Sequence, residues 1–452
     1  MRIKRITESQ TTLTTDSNKK TLDEECGIYD PYEQPHTGKT SSYIEALFIM
    51  IKANLGTGIL GMPKAFYNSG YVLGIFGTLF AGILTTSTTH MISSTEYELC
   101  KRMRVPRLTY PEITAAAFEH GPKSFRRFKD IAGRICYAFL LILGFGGNCI
   151  YLVFIAVNIK AVCDYHFSER DLRFYLLCLL IPLVLICCIK NLKYLAPGST
   201  LGTGCAITCI GAIYYFIFSQ PLSVEGKRMA GSPKEFALFF GTVLFAMGAF
   251  PVIIPLKNSM ARPKQFGAPC GVVNVAMVPN AFLYIAMGLF GYLAYGDLTR
   301  GSITLNLPQT GFVGDLIRIL LAASIFTTFP ICNHVNVELL WHDCLKQKFQ
   351  DSKYVDGMEY VFRTFLIVAN LLCCIAIPNL ELLMSLVGSF CLPMLALWFP
   401  TIIHTMTFWD DYKGFKFVLF ILRAFIITLT GMFAFFFAFS SSVYEIVTTI
   451  FL

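Results

Sequence analysis

The hydrophobic positions of this chain fall in long runs rather than in alternating stripes. Apolar runs of about 20 residues, wound as helices, match the roughly 30 Å hydrocarbon core of a bilayer. The pattern predicts eleven membrane spans, at 43–69, 71–95, 131–161, 171–190, 197–218, 235–258, 272–295, 312–340, 358–377, 381–404 and 416–440. Ahead of them, Met1–Ser41 is polar, Thr/Ser-rich and mixed in charge. It has little to bury and is predicted to be a disordered cytoplasmic tail. It lacks the apolar core of a signal peptide, so the first span is expected to act as its own insertion signal. Ser42-x-x-Glu45 has the spacing of a capping box that opens that span. The predicted organisation is a single eleven-helix domain over 42–445 and a short non-cytoplasmic end over 446–452.

Two spans are interrupted where a membrane helix should be continuous. The first contains KANLGTGILGMP, from Lys52 to Pro63, with glycines at 56, 58 and 61. The sixth reads FFGTVLFAMGAFPVIIPLKNSM, from Phe239 to Met260, broken by Gly248, Pro251 and Pro255. Glycine and proline cost a helix interior about 1 and 3 kcal/mol. Broken backbone survives at membrane depth only where it is buried in protein or lines a cavity. The first and sixth spans also occupy corresponding places in two five-span halves. An odd number of spans per half makes the halves opposite in topology, the pattern of an inverted-repeat transporter with a midplane site.

The breaks supply their own chemistry. Each exposes unpaired backbone N–H groups at one new helix end and C=O groups at the other. The N–H end suits a carboxylate, and the C=O end suits an ammonium or a cation. Two antiparallel broken helices therefore offer both halves of a zwitterion site without a charged side chain. The candidate substrate-binding residues are Asn54, Gly56, Thr57 and Gly58 at the first break, and Met247, Gly248 and Ala249 at the second. Phe245, Phe250 and Phe329 are candidates for an apolar wall, and Thr327 and Thr328 for contacts from the eighth span. With Gly248 small and uncharged, room is expected for a side chain larger than alanine. Lys52 is read as snorkelling to the interface.

Composition supports the membrane reading and excludes a soluble protein: 55% of residues are hydrophobic and 15% charged, and mean hydropathy is +0.58. A net charge of +8 would suggest nucleic acid in a soluble chain. Here the basic residues gather in alternate loops, such as Lys101–Arg107 and Lys123–Lys129. The intervening loops hold only Arg170, Lys227, Arg228, Lys234 and Arg300. By the positive-inside rule the N-terminus is cytoplasmic. Within the second–third loop, Tyr110–Phe128 is either an amphipathic helix on the membrane surface or a solvated connector.

The remaining signals are weaker. Most of the 16 cysteines sit inside spans, with no CxxC or Cys/His ligand spacing, so no metal and no cofactor is expected. Gly56-x-Gly58-x-x-Gly61 matches a dinucleotide fingerprint by letters but lacks the preceding strand. No catalytic cluster lies at one membrane depth, so the chain is not read as an enzyme. His334 and Glu338, four apart at the inner end of the eighth span, are candidates for proton coupling. Asn148 and Tyr151 are lesser candidates. Gly198-x-x-x-Gly202 reads as close helix packing, and Arg423 as a snorkelling residue.

Three segments in order, NLGTGILGMPKAF (Asn54–Phe66), FFGT…PLKNSM (Phe239–Met260) and GYLAYGD…GSITLNLP (Gly291–Pro308), resemble the proton-assisted amino acid transporters. These are a branch of the amino acid/auxin permease superfamily. The resemblance runs from about Ser42 to Glu445. It implies an all-α, LeuT-like 5+5 inverted repeat, and symport of small neutral amino acids with protons at a plasma, lysosomal or endosomal (vacuolar) membrane. Family members carry a His where this chain has Ile49, and Glu where it has Gly248 and Lys257. Those departures raise a second reading, an amino-acid sensor with weak or uncoupled transport.

Overall fold

In a computed structural model, residues 29–33, 40–189, 192–248, 250–308, 312–345 and 354–451 are described. Most of the predicted tail, and Ala249, lie outside the described residues. The first span is two helices, α1 (Tyr43–Asn54) and α2 (Thr57–Ser69), whose axes bend by 46°. The capping box forms: Glu45 N donates to Ser42 Oγ at 3.2 Å, and Ser42 N donates to Glu45 Oε2 at 2.8 Å. The helices α3 (Tyr71–Met103), α4 (Tyr110–His120), α5 (Lys129–His166), α6 (Leu172–Cys187) and α7 (Leu192–Phe218) follow. The sixth span is again two helices, α8 (Pro233–Ala246) and α9 (Phe250–Ser259). Then come α10 (Val272–Tyr295), α11 (Phe312–Val337) and α12 (Val355–Ala376). Single π-helical segments join α13 (Leu380–Leu392) to α14 (Phe399–Thr407) and α15 (Phe415–Phe433) to α16 (Phe439–Phe451). Apart from one bridge, Ser41 to Met260, no β-pairing occurs among the described residues.

Nine described helical runs are long and apolar enough to cross a bilayer, and the bent α1–α2 pair makes a tenth. α6 has 16 residues. At 1.5 Å per residue it rises about 24 Å, short of the roughly 30 Å core. The last span was expected to end at 440 but runs on through Phe451. The serines there bond back into the helix. Ser440 Oγ donates to Phe436 O and Ser442 Oγ to Ala438 O, at 2.5 and 2.8 Å. A hydroxyl satisfied by its own helix does not end it.

The helices pack in two groups. The broken helices α1–α2 and α8–α9 pack with α3 and α10, while α5 packs with α11, α6 and α12; α13 touches both groups, through α8 and α5. Glycines allow the closest approaches. A Cβ on Gly291 of α10 would lie 2.5 Å from Pro63 Cγ, and one on Gly202 of α7 only 2.9 Å from Thr327 Oγ1. Ser324 Oγ donates to Gly202 O at 2.7 Å, so the Gly198/Gly202 stripe is a packing seam between α7 and α11.

The first part of Tyr110–Phe128 packs on protein. α4 buries Ile113, Ala116 and Ala117 against α5 and α14, and Tyr110 Oη donates to Leu395 O at 2.5 Å. Its short apolar face is consumed by protein. Arg423 is anchored on α3: its guanidinium donates to Ser87 Oγ at 2.6 Å and Ser87 O at 3.1 Å.

At the end of α9, Lys257 is fully buried and paired with Glu96 of α3. Its ammonium also donates to Ser93 O at 2.6 Å, and the Tyr32 ring lies 5.2 Å away. The chain ahead of α1 is strapped across this place. Ser41 N donates to Ser259 O at 2.7 Å and Ala261 N donates to Ser41 O at 3.0 Å, while Lys264 pairs with Asp30 at 2.8 Å.

Candidate functional site

The first break consists of Leu55 and Gly56. Leu55 N still reaches back to Ile51 O at 2.9 Å, and Gly56 N to Asn54 O at 2.7 Å. The α2 helix then starts afresh at Thr57, with Gly56 in an extended conformation (φ −95°, ψ −154°) and no side chain capping it. Its first-turn amides are therefore available to an acceptor. A Cβ on Gly56 would meet nothing within 4 Å, so the backbone is open there. Gly58 plays a different part. A Cβ on it would lie 2.5 Å from Ala246 Cα, so this glycine seats α2 directly on the end of α8.

Gly58 thus brings the start of α2 against the end of α8. The buried side chain of Asn54 donates to Met50 O at 3.0 Å and approaches Met277 Sδ at 3.8 Å. Asn54 Oδ1 and Thr57 Oγ1 are buried without a hydrogen-bond partner among the described residues. A buried oxygen left unmatched costs roughly 1–3 kcal/mol, and two lie beside this one break.

Sequence reasoning missed Tyr284. It lies fully buried on α10, and its hydroxyl reaches the last carbonyls of both broken helices, Asn54 O and Ala246 O, the latter at 2.7 Å. One hydroxyl proton serves one carbonyl at a time. Tyr284 thus ties the carbonyl ends of α1 and α8 to one post. A lone Tyr in an apolar span carries no spacing signal, because its partners come from helices distant in sequence.

The second break differs from expectation. Met247 N and Gly248 N are already bonded to Val243 O and Phe245 O, at 3.0 and 3.1 Å. A Cβ on Gly248 would lie 2.6 Å from Leu392 Cδ1, so this glycine backs onto α13 rather than opening a void. The open backbone lies at Gly56. Met247 is buried, with its thioether end near Gly82 of α3. Phe250 and Phe329 are buried and Phe245 is partly so, packed against the core.

The α11 candidates are largely spent inside the protein. Thr327 and Thr328 both donate to Ser324 O at 2.9 Å. His334 Nδ1 lies 3.3 Å from Arg363 Nη2 of α12, and Arg363 also pairs with Glu359 at 2.8 Å. Glu338 follows at the start of a π-helical turn. Asn148 Nδ2 points to Asn333 Oδ1 at 3.4 Å, and Tyr151 is partly buried against the core. Lys52 Nζ lies 3.5 Å from Ser199 Oγ near the start of α7. No group of three or more His, Cys, Asp or Glu placed to hold a metal ion occurs among the described residues. A groove of about 1000 Å³ runs along α7, lined by Pro197, Leu201, Cys205 and Leu320 among others, but it includes no residue of either break.

Residues 39–444 match the model of the transmembrane amino acid transporter protein family. The chain is 34% identical over 426 residues to the proton-coupled amino acid transporter-like protein pathetic of Drosophila melanogaster, covering 93% of this chain and 88% of that one. It is 27% identical over 376 residues to the amino acid transporter AVT3A of Arabidopsis thaliana, covering 79% and 80%. Among solved structures, it resembles the inward-facing conformation of Mhp1, with a TM-score of 0.53 at 11% identity over 94% of this chain and 96% of the other. It also resembles MhsT in complex with L-phenylalanine, with a TM-score of 0.50 at 15% identity over 89% and 100%. Both are LeuT-fold transporters, in keeping with the paired broken helices. By its sequence and its fold, this chain is a multi-pass membrane protein of the transmembrane amino acid transporter family.

Proposed function

We propose that this protein carries small neutral amino acids across its membrane, coupled to protons, by alternating access around the α1–α2 and α8–α9 breaks. The observation that carries the reading is the free N-terminus of α2 at Gly56–Gly58, set beside carbonyl ends that Tyr284 holds together. A carboxylate finds amide donors there and an ammonium finds oxygen acceptors, so recognition rests on groups every amino acid shares. The neutral surroundings favour substrates without a charged side chain. His334 and Glu338 are the coupling candidates. An imidazole that accepts from Arg363 gives up that contact when it is protonated, which links a proton to the seating of α11 on α12. The basic loops support a cytoplasmic N-terminus, with the protein at a plasma membrane or a lysosomal, endosomal or vacuolar membrane.

Uptake of radiolabelled alanine, glycine and proline into proteoliposomes, with and without an inward proton gradient, tests this. Gradient-driven accumulation is expected. Saturable binding without flux would replace this reading with the sensor, which the absence of His at 49 and of Glu at 248 favours.

A further inference from the structure

Asn280 lies on α10, 2% exposed, and neither its Nδ2 nor its Oδ1 has a hydrogen-bond partner among the described residues. Whichever way the carboxamide is turned, two polar atoms are stranded. Its helical register places it. Met277, three residues earlier, touches the Asn54 side chain, and Tyr284, four residues later, touches the Asn54 carbonyl. Residues three and four apart share one helix face. The same face continues to Gly291, against Pro63 of α2. Asn280 therefore sits level with the first break, on the stripe of α10 that follows the broken helix along its length.

The break already holds a spare acceptor in Asn54 Oδ1 and, in Thr57 Oγ1, a spare hydroxyl that can donate or accept. The Asn54 amide donates to Met50 O. Asn280 adds a carboxamide donor at this level.

We propose that Asn280 is a substrate-binding residue whose Nδ2 donates to the carboxylate of the bound amino acid, beside the free amides of α2. The assignment rests on the amino acid transport reading above. It gives a reason for an unmatched carboxamide in a buried position, where an apolar side chain of the same size would stabilise the empty protein.

Two variants test it, read by proteoliposome uptake of whichever radiolabelled neutral amino acid the wild type carries best, and by thermal unfolding of the purified protein. Asn280→Asp keeps the shape, removes the donor and sets a negative charge against the carboxylate; KM is expected to rise tenfold or more. Asn280→Leu is expected to unfold at or above the wild-type temperature while also raising KM tenfold, a combination that a purely structural asparagine would not show. A KM within twofold of wild type in both variants overturns the proposal. So does tighter or newly sodium-dependent uptake in Asn280→Asp, which would mean that the carboxamide oxygen faces a cation or the ammonium. A wild type that carries none of the neutral amino acids overturns the transport reading and this inference with it. Normal wild-type uptake with an unchanged Asn280→Asp overturns this inference alone.

Discussion

The hydroxyl of Tyr284 lies 2.7 Å from the carbonyl oxygen of Ala246, and it also hydrogen-bonds the carbonyl of Asn54. Both acceptors are helix ends, with no continuing helix beyond them, but Asn54 O also accepts from Gly56 N at 2.7 Å. Tyr284→Phe therefore deprives Ala246 O of its side-chain donor while barely changing the volume. A buried group left unsatisfied costs about 1–3 kcal/mol. The expected result is a lower unfolding temperature and roughly tenfold slower uptake, measured on purified protein and in proteoliposomes at matched protein content. Wild-type values for both would remove the tyrosine from the site's architecture.

The two glycines at the first break should respond in opposite ways. Gly58→Ala forces a methyl to within 2.5 Å of Ala246 Cα, a backbone atom that cannot rotate aside. Overpacking of this kind costs about 1–3 kcal/mol or more, so lost thermal stability and lost surface expression are expected. Gly56→Ala meets nothing within 4 Å and has an ordinary φ of −95°. It should fold normally and, under the proposed function, raise KM, since the methyl enters the space proposed for the substrate. Equal damage from both would contradict the geometry.

Lys257 and Glu96 form a fully buried pair between α9 and α3. Removing one partner leaves an isolated buried charge, at a cost of about 3–5 kcal/mol. Glu96→Gln should therefore impair expression more than a surface change does. The double variant Glu96→Lys with Lys257→Glu restores opposite charges and should recover part of the loss, read by fluorescence-detected size-exclusion chromatography. A double variant as poor as the single one would show that the orientation of the pair, with the Tyr32 ring 5.2 Å from the ammonium, matters more than its charge.

His334 touches Arg363, which is itself paired with Glu359, and Glu338 follows four residues later. If the coupled proton visits this imidazole, His334→Ala flattens the pH dependence of uptake between about pH 5 and 8, the range in which histidine titrates. An unchanged profile would remove His334 from coupling.

The signals that were legible in the sequence were local ones. Run length and hydropathy depend on neighbouring residues alone, so the spans, the capping box at Ser42 and Glu45, and both interruptions stood out before any packing was known. The α6 helix shows the limit: an apolar stretch from 171 to 190 read as a full span, yet the helix keeps 16 residues. Surface amphipathicity was also ambiguous for α4, because an apolar face does not say whether lipid or protein will cover it.

By itself the sequence determined a membrane protein of broken, oppositely repeated helices, because glycine and proline act on the backbone wherever they fall. Only the tertiary structure decided what meets at the breaks. Gly248 was expected to open a pocket, but Leu392, more than 140 residues away, fills that space. Tyr284 and Asn280 were unremarked in the chain and became central once α10 was laid along α1 and α2. Their significance comes from partners far off in sequence, and such contacts carry no periodicity that a linear pattern can show.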